Sequence, residues 1–236
     1  MKIWKMLGCL ALLCVIICGC VIVGTEAQAN EEEANATENG AQDEAGNVLG
    51  TENGGGQPPT EGSVVVTPTY SEGLRFRSNG DGTCALSGIG SCTSSCILIP
   101  PQSPTGDTVT EILPYALKDS IVGAVEIPTT MKTITAASFA GCRRLSYIRV
   151  ATGNEWYSEY EGVLYSANYG TLIYCPAGRT GELKLHTALS RIAAGAFAEC
   201  TGLSAVIYQG STAAWHGVIV GDENNALYAA GFRFGI

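Results

Sequence analysis

One apolar phrase occurs twice in this chain without a gap. Residues 125–150 read VEIPTTMKTITAASFAGCRRLSYIRV, and residues 183–208 read LKLHTALSRIAAGAFAECTGLSAVIY, 58 positions later. A single unit of this size cannot bury its own apolar edge, so the recurrence predicts one supersecondary unit stacked on copies of itself. The matching positions form the predicted repeat core: Ile127, Met131, Ile134, Phe139, Cys142, Leu145, Ile148 and Val150, with Leu185, Leu189, Ile192, Phe197, Cys200, Leu203, Val206 and Tyr208 as their counterparts.

A weaker third copy precedes these two and sets the repeat length. Ile112 lies 22 residues before Ile134, within the roughly 20–29 residues of a leucine-rich repeat. Ile148 and Val150 flank one charged residue, which is the alternation of a strand with one buried face. Residues 135–141 read as a short helix with Phe139 as its one bulky side chain. Each coil is therefore predicted to run strand, turn, short helix and return.

The segments outside the clean copies predict a modified coil and two caps. Residues 151–182 read as a hairpin with its turn around 168–170, which replaces the helix of one coil. Residues 74–86 read as an opening hairpin, and residues 208–227 as a closing cap in which Trp215 covers the last open coil. We predict a leucine-rich-repeat solenoid, α/β but mostly β with short helices, of about four coils with N- and C-terminal caps.

These motifs resemble the BspA-like family of leucine-rich-repeat surface proteins. Residues 127–148 and 185–206 are similar to the family repeat, I-P-x-x-V-x-x-I-x-x-x-A-F-x-x-C-x-x-L-x-x-I. The opening cap from Asn79 to Pro100, the middle element from Gly162 to Gly178 and the closing cap from Tyr208 to Asn224 resemble the family's other elements in the same order. His186 departs from the pattern where the repeat has Pro.

The resemblance implies a cell-surface or secreted binding protein. Some members of the family are associated with adhesion to host matrix proteins. That activity does not reside in the repeat core, because the core residues are those that every coil needs in order to stack.

The N-terminus has the composition of an export segment. Lys2 and Lys5 precede an apolar run from Met6 to Val23, and Ala27-Gln28-Ala29 has the small-x-small pattern of a signal-peptidase site. Two alternatives remain open: lipidation at Cys20 within a sequence that resembles a lipobox, and retention of the run as a membrane anchor. All three predict an extracytoplasmic location, with a membrane contact only through this segment.

An acidic stretch follows the export segment. Residues 26–72 contain ten acidic residues and no Lys or Arg, a composition that predicts a solvated linker rather than a packed unit. From Arg75 onward the chain carries 11 basic and 12 acidic residues, so the net charge of −9 comes from the linker. The near-neutral remainder argues against nucleic acid as a partner. The predicted domains are 1–29, the export segment, 30–71, the linker, and 72–236, the capped repeat domain.

The ten cysteines fall into four groups, one of which, Cys92 and Cys175, lies in motifs of the family resemblance and is expected to be structural. Four lie in the export segment, and Cys142 and Cys200 share one repeat column, where small apolar side chains are expected. Cys84 and Cys96 stand where the family resemblance does not place cysteine, and an exported chain can retain disulfides. We predict a Cys84–Cys96 bridge that pins the opening cap, with Cys92–Cys96 as the competing pair.

The sequence offers no pattern for catalysis or for a cofactor. Its two histidines, His186 and His216, lie outside any metal-ligand spacing, and no nucleophile or phosphate-binding motif is present. A Cys200/His186 pair is the one nucleophilic arrangement to consider, and both residues occupy repeat positions. We expect no enzyme activity and no cofactor, and a hydrolase is the least favoured alternative.

The remaining exposed positions predict where a ligand binds. Outward-facing strand residues of a solenoid vary at little cost to stability, and an aromatic cluster can either anchor an interface or pack a hairpin. We expect a protein, for example a host matrix protein, or a glycan as the ligand. The alternative is an interaction module that organises the cell's own envelope proteins. The candidate ligand-binding residues are Glu126, Arg149, Tyr157, Tyr160 and Ile207.

Overall fold

The computed structural model describes residues 69–235 and, before them, the backbone of two two-residue strands, β1 (Ile16–Ile17) and β2 (Cys20–Val21). The predicted export segment 1–29 otherwise lies outside the described residues, as does the linker up to residue 68. Lipidation at Cys20 therefore stays a prediction. Within the described part, no helix combines the length and the apolar character that crossing a membrane requires.

Short strands dominate the described part, and helices are few. One 3₁₀ helix spans Ala136–Phe139, α1 spans Thr212–Trp215 and α2 spans Asn225–Ala229. The strands are β3 (Arg75–Ser78), β4 (Thr83–Gly88), β5 (Cys96–Leu98), β6 (Thr108–Ile112), β7 (Ala124–Ile127), β8 (Tyr147–Val150), β9 (Tyr157–Tyr160), β10 (Val163–Ser166), β11 (Thr171–Tyr174), β12 (Gly181–Leu185), β13 (Arg191–Ile192), β14 (Leu203–Tyr208), β15 (Ile219–Val220) and β16 (Phe232–Phe234).

Parallel ladders confirm the predicted leucine-rich-repeat solenoid. One ladder runs β5-β7-β8 and a second runs β12-β14-β16, all parallel. In the other sheets, β4 pairs with β6, and β13 pairs with both β11 and β15, again in parallel. Stacked coils produce this arrangement, in which neighbouring strands are parallel and a returning segment connects each strand to the next.

The number of turns differs from the prediction of about four coils. The two ladders β5-β7-β8 and β12-β14-β16 together contain six strands, one for each turn of the solenoid. The two additional turns come from the caps, because β5 and β16 extend the ladders instead of ending them. Trp215 accordingly packs on Tyr208 of β14 and on Phe232 of β16, with ring centroids 5.2 and 4.3 Å apart.

Polar side chains connect one coil to the next at the ends of the short helices. The N–H of Thr135 donates to Ser138 Oγ at 3.3 Å, and Ser138 Oγ donates to the carbonyl of Ile112 in the preceding coil at 3.0 Å. In the closing cap, Asn224 Oδ1 accepts from the N–H of Phe197 at 2.8 Å. Both side chains are buried, so each satisfies backbone groups that the stacked coils would otherwise leave without partners.

The predicted hairpin with its turn around 168–170 is formed by β10 and β11, and β9 pairs antiparallel with the other edge of β10. We call β9 and β10 the middle hairpin, and it separates two hydrophobic cores. Successive residues of a strand point to opposite faces. Leu164 of β10 packs into the core of the first coils, whereas its neighbours Val163 and Tyr165 pack into the core of the last coils. The repeat-core positions named above are buried in one or the other of these two cores, apart from Val150, which is half-buried.

Replacing Phe139 with Ala should destabilise the fold by about 3–5 kcal/mol, because its side chain is inaccessible to solvent and its ring stacks on Tyr174 at 4.8 Å. Phe197, its counterpart, is equally buried and should behave alike. Denaturant unfolding followed by circular dichroism measures both losses. A Phe139→Ala variant that unfolds like the parent would show that this position does not fill the coil interior.

Candidate recognition surface

The outward row of the two parallel ladders contains three of the candidate ligand-binding residues. Glu126 on β7 pairs in register with Arg149 on β8, and Arg149 Nε lies 3.9 Å from Glu126 Oε2. Ile207 on β14 lies between Lys184 on β12 and Arg233 on β16. We call this set the outward row: Leu98, Glu126, Arg149, Lys184, Ile207 and Arg233.

The tip of the middle hairpin lies beside β8 on this surface. The N–H of Ile148 donates to the carbonyl of Gly162 at 2.9 Å. Arg179, in the segment that leads to β12, pairs with the carboxylate of Glu161 at 3.0 Å and also donates to the Glu161 carbonyl. The inserted hairpin therefore adds its own charged groups to the surface next to Arg149.

Glu159 is the chemically most unusual of these groups. Its carboxylate accepts from the N–H of Gly162 at 3.0 Å and from the Tyr147 hydroxyl at 3.4 Å. Burial raises the pKa of Glu159 above the usual range, and the hydrogen bonds together with Arg149 and Arg179 partly oppose that shift. Burial and the nearby Glu159 carboxylate raise the pKa of Tyr147 to about 12.

Charges across this surface compensate one another. Arg149 faces Glu126, Arg179 faces Glu161, and Arg233 forms an ion pair with Glu182. Ion pairs at a protein surface contribute little to stability, but these pairs leave the surface without a field of one sign. The balanced set comprises four acids, Glu126, Glu159, Glu161 and Glu182, and four bases, Arg149, Arg179, Lys184 and Arg233.

The two candidate tyrosines have different environments. Tyr157 is buried, and its hydroxyl donates to the carbonyl of Lys132 and accepts from the N–H of Ile134. Tyr157 therefore fastens the hairpin to the neighbouring coil. Tyr160 is half-buried, and its hydroxyl donates to Gln209 Oε1 at 2.8 Å.

The predicted Cys84–Cys96 bridge is not formed in the structure. Cys84 is a free thiol in β4 whose sulfur lies 3.6 Å from the carbonyl oxygen of Asp107, whereas Cys96 begins β5 in another sheet. Cys92, the competing partner, is also a thiol. The physical reason is topological, since the two strands join different ladders of the solenoid.

Cys142, Cys200 and His186 have structural contacts. Cys142 donates to the carbonyl of Leu117 at 2.8 Å, and Cys200 to that of Cys175 at 3.2 Å. The His186 ring stacks on Tyr169 at 4.3 Å, and its Nδ1 accepts from the N–H of Ala188. Within residues 69–235, no group of three or more His, Cys, Asp or Glu side chains is arranged to hold a metal ion.

Sequence reasoning did not identify Glu159 and Arg179 as part of this surface. One signal was available for Glu159. Glu159 lies two residues after Tyr157, so both side chains are on the same side of β9, and Tyr157 is buried. A carboxylate at such a position usually has a specific partner. Arg179 carried no comparable signal, because its contact with Glu161 joins residues 18 positions apart.

Comparison with known proteins gives distant structural similarities. No protein-family model matches the chain, and no curated protein matches it. A leucine-rich repeat protein from Eubacterium ventriosum has 21% identity and a TM-score of 0.41, covering 53% of this chain and 40% of that one. A leucine rich cell surface protein from Faecalibacterium prausnitzii has 23% identity and a TM-score of 0.39, covering 60% and 41%.

A leucine-rich repeat protein from Bacteroides capillosus has 20% identity and a TM-score of 0.37, covering 70% of this chain and 95% of that one. The chain spans about two fifths of the length of the Eubacterium and Faecalibacterium proteins. Because these TM-scores are low, the fold assignment rests on the strand order and register described above.

Replacing Gly162 with Ala should destabilise the protein more than replacing Gly153 with Ala. Both glycines have positive φ, +75° and +92°, so each alanine incurs a backbone cost of about 1–2 kcal/mol. A Cβ at 162 would in addition lie 2.4 Å from Tyr147 Cδ2, whereas a Cβ at 153 meets no atom closer than 4.0 Å. Denaturant unfolding compares the two, and equal losses would contradict the close approach of Gly162 to Tyr147.

Replacing Glu159 with Gln should change the pH dependence of stability. The folded-state pKa of Glu159 is raised, so the folded state binds the proton more tightly, and this group lowers stability as pH rises above its unfolded value. Glutamine has no carboxyl group to deprotonate, so the variant does not lose this stability as the pH rises. The melting temperature of Glu159→Gln relative to the parent should therefore be higher at about pH 7 than at about pH 4. The opposite trend would mean that the carboxylate is stabilised as an anion.

Proposed function

We propose that this chain is an exported, non-catalytic leucine-rich-repeat protein of the cell surface, and that its outward row recognises a protein or glycan ligand. The observation that carries the proposal is the outward row itself, with Arg149 and Ile207 on parallel strands whose opposite faces are buried. The buried faces hold the fold. The outward side chains are therefore available for recognition on a rigid support.

The charge balance of the surface supports a ligand other than nucleic acid. Neutralisation of phosphates by Lys and Arg supplies most of the sequence-independent affinity of a protein for nucleic acid, and it needs cations that are not already paired. Here Arg149 and Arg179 each face a carboxylate. A ligand bound by shape and by hydrogen bonds suits such a surface better than a polyanion does.

The location is proposed from the N-terminal sequence. The apolar run and the small-x-small pattern that follows it favour export, and the acidic linker favours display of the repeats away from the membrane. The resemblance of the repeats and caps to the BspA-like family supports the same location and the proposed adhesion to matrix proteins.

The absence of enzyme activity is part of the proposal. Cys200, the one nucleophile that the sequence brought forward, is buried and donates to a backbone carbonyl, and His186 is held between aromatic rings. A nucleophile needs access to substrate and a base within hydrogen-bond reach. These environments favour a structural role for both residues.

Capture experiments on the full-length protein test the proposed function. The immobilised protein is incubated separately with an extracellular-matrix extract and with an envelope extract of the producing cell. We expect saturable capture of a matrix component that persists at about 0.5 M salt, because the surface charges are already paired. Arg149→Ala should weaken this capture about tenfold, as loss of a central interface arginine does.

Arg143→Ala is the matched control, because Arg143 is exposed in a turn and does not belong to the outward row. Capture that is lost equally in both variants would contradict a role for the outward row. Saturable, Arg149-dependent capture of envelope proteins alone would instead assign the protein to organisation of the cell's own surface.

A further inference from the structure

A groove of about 230 Å³ lies beside the outward row. One wall is the segment 150–154 that leaves β8, another is residues 157–159 of β9, and Tyr169 of the next turn borders it. Its volume is below the roughly 300–1,000 Å³ of pockets that enclose drug-sized ligands. The groove therefore suits a small unit, such as one residue of a longer ligand.

The walls of the groove are held in place before any ligand binds. Asn154 Nδ2 donates to the carbonyls of Pro128 and Met131 at 2.8 and 3.2 Å. Its Oδ1 accepts from the N–H groups of Trp156 and Tyr157, both at 2.8 Å. One side chain thus fixes the segment before β9 to the preceding coil. A site that is formed in advance loses less conformational entropy on binding.

The groove offers hydrogen-bond donors and acceptors together. The hydroxyls of Thr152 and Tyr169 have no hydrogen-bond partner among residues 69–235. Ser158 Oγ donates to the carbonyl of Ala167 at 3.0 Å and retains its capacity to accept. Each carboxylate oxygen of Glu159 accepts a single bond and can accept another. Ligand hydroxyls, which both donate and accept, match this set.

Tyr169 supplies a fixed aromatic border. One neighbour, His186, stacks on its ring at 4.3 Å with an interplanar angle of 17°, and Tyr165 lies 6.1 Å away. An aromatic ring with a polar tip can contact the C–H groups of a ligand while its hydroxyl meets the ligand's polar groups. A pyranose carries both kinds of group on neighbouring atoms.

The electrostatic environment favours a ligand without charge. Glu159 is flanked by Arg149 and Arg179, whose positive charges already act on its carboxylate. A cationic ligand would compete with these arginines, and an anionic ligand would be repelled by the carboxylate. Partial burial also makes the introduction of a further charge costly.

We propose that this groove binds one uncharged hexose residue of a glycan, with Glu159 and Thr152 hydrogen-bonding its hydroxyls and Tyr169 bordering its C–H groups. This inference deepens the proposed function and rests on it, since it assigns the glycan class to a site next to the outward row.

The test uses the methyl glycosides of glucose, galactose and mannose as probes. Each is titrated into the full chain, in a detergent without a sugar headgroup, and binding is followed by saturation-transfer NMR. At least one glycoside should bind with a Kd on the order of 1 mM, the affinity expected for a ligand of this size. Saturation transfer to none of the three at tens of millimolar would overturn the proposal.

Two variants and one matched control localise the binding. Glu159→Gln and Thr152→Val should each weaken it about fivefold or more, and Thr152→Val removes a hydroxyl that the fold does not use. Glu155→Gln makes the same charge change at an exposed residue that does not line the groove, and it should bind like the parent. Sugar binding that is unchanged in both Glu159→Gln and Thr152→Val would overturn the assignment to this groove.

Further outcomes separate this inference from the proposed function. Glucosamine binding more tightly than the neutral glycosides, with loss in Glu159→Gln, would replace the uncharged ligand by a cationic one and overturn the proposal as stated. Absence of sugar binding, with Arg149-dependent capture of a macromolecule intact, would overturn the groove assignment and leave the proposed function standing. Absence of sugar binding together with absence of Arg149-dependent capture would overturn both the groove assignment and the proposed function.

Discussion

The opposed packing of β10 is the constraint on which the rest of the structure depends. In an ordinary coil of this solenoid one strand face is buried and the other is exposed. In β10, Leu164 enters the core of the first coils while Val163 and Tyr165 enter the core of the last coils. A strand buried on both faces cannot slip by one residue without exchanging every side chain between the two cores. The hairpin therefore sets the register in which the two halves meet.

The candidate site follows from that insertion. Because β9 and β10 belong to the coil that lacks a helix, their tip reaches the surface beside β8. There Glu159 lies near Arg149 and Arg179, and Glu161 pairs with Arg179. The same insertion forms one side of the groove that Asn154 stiffens. Insertions into a repeat protein lie on one face of the solenoid, which is often its binding face. Here the interruption brings charged and aromatic groups together.

Sequence reasoning succeeded for positions that follow from the spacing of the repeat. It was wrong where the outcome depends on which distant strands or side chains become neighbours. Phe139 and Phe197 follow from the repeat period, and both fill the coil interior. The predicted number of coils was too low because the cap strands β5 and β16 continue the ladders. No local sequence pattern indicates that these strands pair with the repeat strands. The cysteine pairing was not found because Cys84 and Cys96 belong to strands of different sheets. Tyr157 is identifiable as aromatic from sequence, but only its contacts with Lys132 and Ile134 make it a packing residue.

The amino-acid sequence by itself determined the solenoid: its repeat length, the inward positions, the site of the interrupted coil and the neutrality of the folded part. These follow from periodicity and composition, which are local properties. Only the tertiary structure decided which side chains share the recognition surface. Arg149, Glu159 and Arg179 are separated in sequence and occupy different elements, and their proximity arises because the hairpin must bury both of its faces between two cores.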